Sequence, residues 1–325
     1  MNRKQVESLI TERGRKPSSR MRIVDDTSDF IALNPGDVMV LKDNPYLITR
    51  NEKESGFGQD DDPKFWVKRT INLLTGKTKI VKLVFFEEFV QNIGGYKIHF
   101  YRSPLKEARV LDAVRGHSFF MHGFDVNDNV GNNVRIIDFI RGPSLNKLVA
   151  DCNMSHEHYF HSQLLKILTG VCDCLQSLSY LHENGLVHGD VRWEHILYDR
   201  DRKKYRWIDF DYNYDFPENP FGMDLIGLGG IITCIVGMGE CFYSDVKANP
   251  IFKGVVDQLQ PEDFSILEQN RLMNLKKIYP YIPERLNNVL LHFSGYATVF
   301  YESVDELLGD LRDAMRDIEG ISNTQ

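Results

Sequence analysis

The stretch Leu181-His-Glu-Asn-Gly-Leu-Val-His188-Gly189-Asp190-Val-Arg192-Trp-Glu194-His195-Ile-Leu197, followed after a short turn by Trp207-Ile-Asp209-Phe210-Asp211, decides how this chain is read. Just before it, Leu164, Leu168, Val171, Leu175 and Leu178 keep the spacing of a single buried helical stripe. Within it that period stops, and His188, Asp190, Arg192 and His195 crowd into a few positions. Asp209 then follows the strand-like Tyr205-Arg-Trp-Ile208. An Asp after a strand means little alone; its weight comes from the loop that precedes it. Helical spacing dominates the chain beyond Pro143. The chain closes on Ser303-Val-Asp-Glu306, a capping-box pattern leading into Val304, Leu307, Leu308, Leu311, Met315 and Ile318 on one face.

Toward the N-terminus the pattern changes to strands. Val38-Met-Val-Leu41, Tyr46-Leu-Ile-Thr49, Phe65 to Leu73 and Ile80 to Phe86 are separated by turn-rich pieces, which predicts an antiparallel sheet built from hairpins. Leu74-Thr75-Gly76-Lys77 is the expected tight connection between the last two strands. Lys82 stands centrally in the last of them, where an unpaired ammonium is costly to bury, so it needs an anion unless it snorkels from an edge strand. Asn92-Ile-Gly94-Gly95-Tyr96 suggests an added hairpin before Ser103-Pro104, an N-cap serine and first-turn proline that open a helix carrying Glu107. Val134 to Ile140 returns to strand character until Arg141-Gly142-Pro143 breaks it. Residues 1–36 are expected to be an extension, with a short amphipathic helix near Val6 to Ile10 and a solvated basic arm from Arg13 to Arg20.

The bulk composition narrows the classes. With 325 residues and 42% apolar content the chain can bury one large core or two joined lobes. A net charge of −7 with both signs interspersed gives no basic face, so nucleic acid is not an expected partner. Five cysteines at Cys152, Cys172, Cys174, Cys234 and Cys241 fit neither a disulfide framework nor a zinc site, and read as reduced core residues. The first residues, Met1 to Glu7, lack an apolar stretch of signal-peptide length, so a secretory signal is not expected. The apolar run from Gly222 to Gly239 is diluted by glycine and opened by Asp224, which favours a buried helix over a membrane span of about 20 strongly apolar residues. A cytoplasmic address with no membrane partner is the expectation. Ser155-His156-Glu157-His158-Tyr-Phe-His161 holds three imidazoles without the spacing of a zinc hydrolase.

The run from Leu178 to Asp211 resembles the catalytic loop and metal-binding turn of the protein kinase-like superfamily, whose pattern is His-Arg-Asp-Leu-Lys-Pro-Glu-Asn followed by Asp-Phe-Gly. The likeness is to atypical, bacterial-type Ser/Thr kinase-like proteins with a His-Gly-Asp loop. It implies an α+β, bilobal protein kinase-like fold. A small antiparallel β-sheet lobe with one main helix would span residues 37–141, and a larger, mainly helical lobe residues 142–325. It implies ATP with Mg or Mn as cofactors and transfer of the γ-phosphate to a hydroxyl of a protein or small molecule. Asp190 would take the hydroxyl proton, and Arg192 would face the transferred phosphate. Lys82 and Glu107 would clamp the nucleotide, with Gly56 and Gly58 in a glycine loop and Asp138 to Ile140 as the adenine connector. Asp209 would hold metal, joined by His195. On this reading Lys82, Asp190 and Asp209 converge on one cleft.

Several positions depart from the family pattern. His195 replaces the family asparagine, and either ligates metal or only orients the loop. Asp211 replaces the glycine, and Asp60-Asp61-Asp62 follows the Gly-x-Gly directly. Asp224 matches the aspartate that anchors the loop, yet it follows Asp209 by only 15 residues with no Ala-Pro-Glu between. A peptide platform with its phosphorylation switch is therefore not expected. A nucleotide-binding or scaffold protein without phosphotransfer is the alternative.

Overall fold

Residues 1–54 and 62–322 are described by the structure, a computed structural model. They divide into two compact units, the first built from residues 1–87, 102–117 and 121–140, the second from residues 88–101, 118–120 and 141–325. The first half of the chain runs α1 (Arg3–Glu12), β1 (Ile23–Val24), β2 (Val38–Leu41), β3 (Asn44–Glu54), β4 (Asp62–Asn72), β5 (Thr78–Lys82), β6 (Glu88–Ile93), β7 (Tyr96–Arg102), α2 (Pro104–Ala113), β8 (Gly123–Asn127) and β9 (Asn133–Asp138). The second half runs α3 (Leu145–Ala150), α4 (His156–Tyr159), α5 (Leu165–Gln176), α6 (Leu178–Glu183), β10 (Ile196–Asp199), β11 (Lys204–Trp207), β12 (Tyr212–Asp215), α7 (Gly222–Val236), α8 (Tyr243–Ala248), α9 (Lys253–Val256), α10 (Glu284–Leu291) and α11 (Val304–Ser322). This is an α+β architecture, compatible with a bilobal kinase-like fold.

In the first unit the sheet order is β1-β2-β3-β4-β5-β9-β8. Every pair is antiparallel except β1 with β2. The β4–β5 turn closes as the sequence suggests: Gly76 takes φ +72°, and the Asn72 side chain accepts from the amides of Leu74 and Thr75. Alternation along the strands sorts the apolar side chains. Met39, Leu41, Tyr46, Ile48, Val81, Leu83, Val134 and Ile136 form one cluster, whereas Val38, Leu47 and Leu73 form another with Val6 and Ile10 of α1. The N-terminal residues are thus part of this unit rather than an appendage. Arg13 donates to the carbonyls of Leu73 and Leu74, while Arg15, Lys16 and Arg20 stay exposed. Lys68 is fully buried, and its ammonium donates to the carbonyls of Phe30 and Leu33 and to Asn51 Oδ1. This stitches residues 30–33 onto the sheet.

In the second unit the stripe Leu164, Leu168, Val171, Leu175 and Leu178 is wholly buried. The face of α11 read from the sequence is inward as well. Its Ser303 Oγ accepts from the Glu306 amide, but the Glu306 carboxylate reaches the Glu302 amide rather than closing a full box. Helix α7 is apolar nearly all round and buried, and all five cysteines are free. The continuous helical run His156–Glu183, which includes a π-helical turn at Phe160–Leu164, is long and apolar enough to cross a membrane. Half of its most apolar window is buried within the protein itself.

His156, one of the three clustered imidazoles, is half-buried in a structural role. Its ring stacks on Tyr279 at 3.4 Å, its Nε2 donates to the Val236 carbonyl at 2.8 Å, and its Nδ1 accepts from the Tyr281 hydroxyl at 2.8 Å. Burial lowers its pKa to about 4, against the opposing effect of the Val236 carbonyl. Since the unfolded ring titrates near 6.5, the unfolded state takes up the proton first. The contribution of this ring is therefore full above about pH 6.5 and lost as pH falls toward 4. Denaturant unfolding at pH 7.5 and 5 should show a smaller loss for His156→Phe than for wild type; parallel losses would contradict this.

Candidate active site

Helix α6 ends at Asn184, and Gly185, with φ +66°, turns the chain back toward the loop. The loop is fixed by Asp224 in the first turn of α7. This buried carboxylate accepts the amides of His188 at 2.7 Å and Gly189 at 2.9 Å, with His182 Nε2 at 3.1 Å. Burial pushes its pKa up, but the His182 hydrogen bond, the nearby imidazoles and the Gly189 amide outweigh it and hold the carboxyl below its usual value. Two glycines make the arrangement possible. Gly189 takes φ +87°, and a Cβ on Gly227 would stand 2.5 Å from the Val191 carbonyl oxygen, so α7 and the loop meet backbone to backbone.

Beyond this anchor the loop brings Asp190, Arg192, His195 and Asp209 together. The Asp190 amide donates to His188 Nδ1, and His188 itself packs edge-on against Trp207 and Phe210. His195 is buried; its Nδ1 lies 2.9 Å from the Asp190 carbonyl oxygen and 3.4 Å from the Asp190 carboxylate. Its Nε2 lies 3.5 Å from Asp209 Oδ2. The antiparallel β10–β11 pair returns the chain to this point, and the Ile208 amide donates to the His195 carbonyl. Arg192 Nε is 3.9 Å from both Asp190 Oδ1 and Glu194 Oε2. The left-handed residue of the turn is Asp209 itself, at φ +71°, and not Asp211. Aspartate replaces the family glycine at position 211 without strain, because no positive φ is required there.

The tautomer of His195 follows from its partners. A carbonyl only accepts, so Nδ1 carries a proton, and Nε2 presents to Asp209 either a lone pair or a second proton. A second proton makes an ion pair with Asp209, whereas a lone pair leaves a nitrogen and a carboxylate oxygen 3.5 Å apart, a donor pair that a metal ion could share. Among the described residues no group of three or more His, Cys, Asp or Glu is arranged to hold one. A metal here would have two protein ligands and would need phosphate or water oxygens to complete its shell, as magnesium sites commonly do.

In the first unit, Lys82 and Glu107 meet as the sequence suggests. The ammonium donates to Glu107 Oε1 at 2.8 Å, with both side chains buried. Sequence reading misses the third member, Arg135. It faces Lys82 in the β5–β9 register and donates to Glu107 Oε2 at 3.1 Å. Its other nitrogens reach the carbonyls of Leu83 and Asn133. One carboxylate therefore bridges two buried cations. The signal was present, since Arg135 interrupts an apolar strand as Lys82 does. Asp138 pairs with Lys79, and its amide donates to the His122 carbonyl at 2.8 Å, so the sheet already uses that group. Ile140 is buried. Gly56 and Gly58 lie outside the described residues.

Removing the anchor tests the loop geometry. Asp224→Ala leaves two buried amides and His182 without their acceptor. It is expected to cost on the order of 3 kcal/mol in urea unfolding. A change near zero would mean that the loop holds its shape without Asp224.

No family model matches the chain. Over 115 residues it is 25% identical to the probable serine/threonine-protein kinase fnkB of Dictyostelium discoideum, a stretch covering 35% of this chain and 20% of that protein. The chain thus spans about a fifth of the length of the relative it matches. The likeness supports a kinase-like relationship over about a third of the chain.

Proposed function

We propose that the chain is an ATP-dependent phosphotransferase of the protein kinase-like superfamily, passing the γ-phosphate to a hydroxyl. The observation that carries this reading is His195 seated between the carboxylates of Asp190 and Asp209, with its Nε2 aimed at Asp209. Phosphoryl transfer asks for oriented groups and countercharge more than for covalent chemistry. Asp190, one quarter exposed, receives the proton of the acceptor hydroxyl as that oxygen attacks. Arg192, held near Asp190 and partly exposed, neutralises charge on the transferred group. Lys82, oriented by Glu107 with Arg135 behind it, binds nucleotide phosphate oxygens. Asp209 and His195 would hold Mg or Mn, which when bound supplies countercharge to the phosphates. Imidazole suits manganese better than magnesium.

The acceptor on this reading is a protein or small-molecule hydroxyl. Likeness to a protein named a probable serine/threonine kinase supports the first, and the short Asp209-to-Asp224 segment supports the second.

Transfer from γ-labelled ATP, measured with Mg and then Mn, tests the reading. Asp190→Ala is expected to lower the rate by about 10²–10⁴-fold, the usual worth of a general base. His195→Asn, which restores the family ligand, is expected to shift the metal preference toward Mg. If nucleotide raises the melting temperature but neither an acceptor nor the protein itself is labelled, the chain binds nucleotide without transferring phosphate.

A further inference from the structure

The insertion between β5 and α2 folds as the β6–β7 hairpin, and β12 joins it to make a three-stranded sheet in the order β12-β7-β6. From Tyr212 to Phe216, each successive residue meets a hairpin side chain. Tyr212 packs edge-on to Phe89 at 5.9 Å, and Asn213 Nδ2 donates to the Tyr101 hydroxyl at 2.6 Å. Tyr214 lies against Phe100 at 5.9 Å, Asp215 is 3.7 Å from His99 Nδ1, and Phe216 packs edge-on to Tyr96 at 5.5 Å. The hairpin is itself seated. Ile93, Ile98 and Phe100 share a buried cluster with Tyr214 and Met223, and a Cβ on Gly94 would lie 2.9 Å from Ile266 Cδ1. The Tyr214 hydroxyl in turn accepts from the Asp224 amide at 3.4 Å.

This bears on Asp209. A non-glycine residue at φ +71° is in a sparsely populated conformation, and it persists only where both flanks are held. The upstream flank is held by the Ile208 amide bonded to the His195 carbonyl. The downstream flank, three residues on, is β12, and the hairpin holds it. No serine or threonine occurs between Asp209 and Asp224, and of the two tyrosines Tyr214 is buried. Strand pairing and aromatic packing already present in the fold hold residues 212–216.

We propose that the β6–β7 hairpin is a built-in brace for the segment following Asp209, with Phe89, Phe100 and Tyr101 acting as positioning residues that fix the Asp209 carboxylate for its cation. The positioning role rests on the phosphotransferase reading; the brace itself does not. Phe89 is 43% exposed, so its truncation leaves the core intact, and Phe89→Tyr keeps the ring.

The test uses the full chain with Phe89→Ala, Tyr101→Phe, the double variant and Phe89→Tyr. In hydrogen exchange, amides of residues 209–216 are expected to exchange about tenfold faster in the double variant, with α7 and the β3–β4 pair unchanged and Phe89→Tyr close to wild type. In transfer assays, the Mn²⁺ concentration giving half the maximal rate is expected to rise about tenfold, with little change in the rate at saturating Mn²⁺. Wild-type exchange at 209–216 in the folded double variant would overturn the brace. Faster exchange with an unchanged Mn²⁺ requirement would overturn the positioning role. A wild-type protein that transfers no phosphate counts against the phosphotransferase reading and overturns the positioning role with it, while the exchange comparison still decides the brace.

Discussion

The buried carboxylate of Asp224 is the constraint on which the rest of the loop depends. Burying an ionised group is costly unless its lone pairs are matched, and here two backbone amides and an imidazole match them. The lowered pKa of Asp224 shows which effect prevails: the donors outweigh desolvation. Because two of those donors are consecutive amides, satisfying Asp224 also fixes the backbone at Gly189, and the direction in which Asp190 leaves follows from it. His195 then accepts its orientation from the Asp190 carbonyl, and Asp209 is brought to the other side of the same ring.

The two units treat buried charge in different ways. In the first unit Glu107 is shared by Lys82 and Arg135. In the second unit Asp190, Glu194 and Asp209 are set near one guanidinium and one imidazole. On the proposed reading the first arrangement serves phosphate and the second a cation.

Much of this was legible locally. The stripe of α5 and α6 follows from helical spacing, and the need of Lys82 for an anion from the cost of burying a charge, whereas the Asp190 loop, the anchoring Asp224 and Glu107 as the partner of Lys82 were legible through the resemblance to the kinase-like pattern. The capping serines at 103 and 303 were legible without it, since a cap involves only near neighbours. What was not legible depends on partners distant in sequence. The hairpin could be suspected from Gly94 and Gly95, but the alternation along β7 says only that one face is covered, not that β12, more than 100 residues later, pairs with it. The apolar side of α1 was visible, but not that the β-sheet would cover it. Lys68 in a strand reads as a surface residue until Phe30 and Leu33 are seen over it.

The account depends most on the pairing of His195 with Asp209 at a cation. Crystals grown with Mn²⁺ and a non-hydrolysable ATP analogue, measured at the manganese absorption edge, examine that pairing directly. An anomalous peak within bonding distance of both His195 Nε2 and Asp209 Oδ2 is the expected result. A peak that bypasses these two atoms while the analogue is bound would contradict the account.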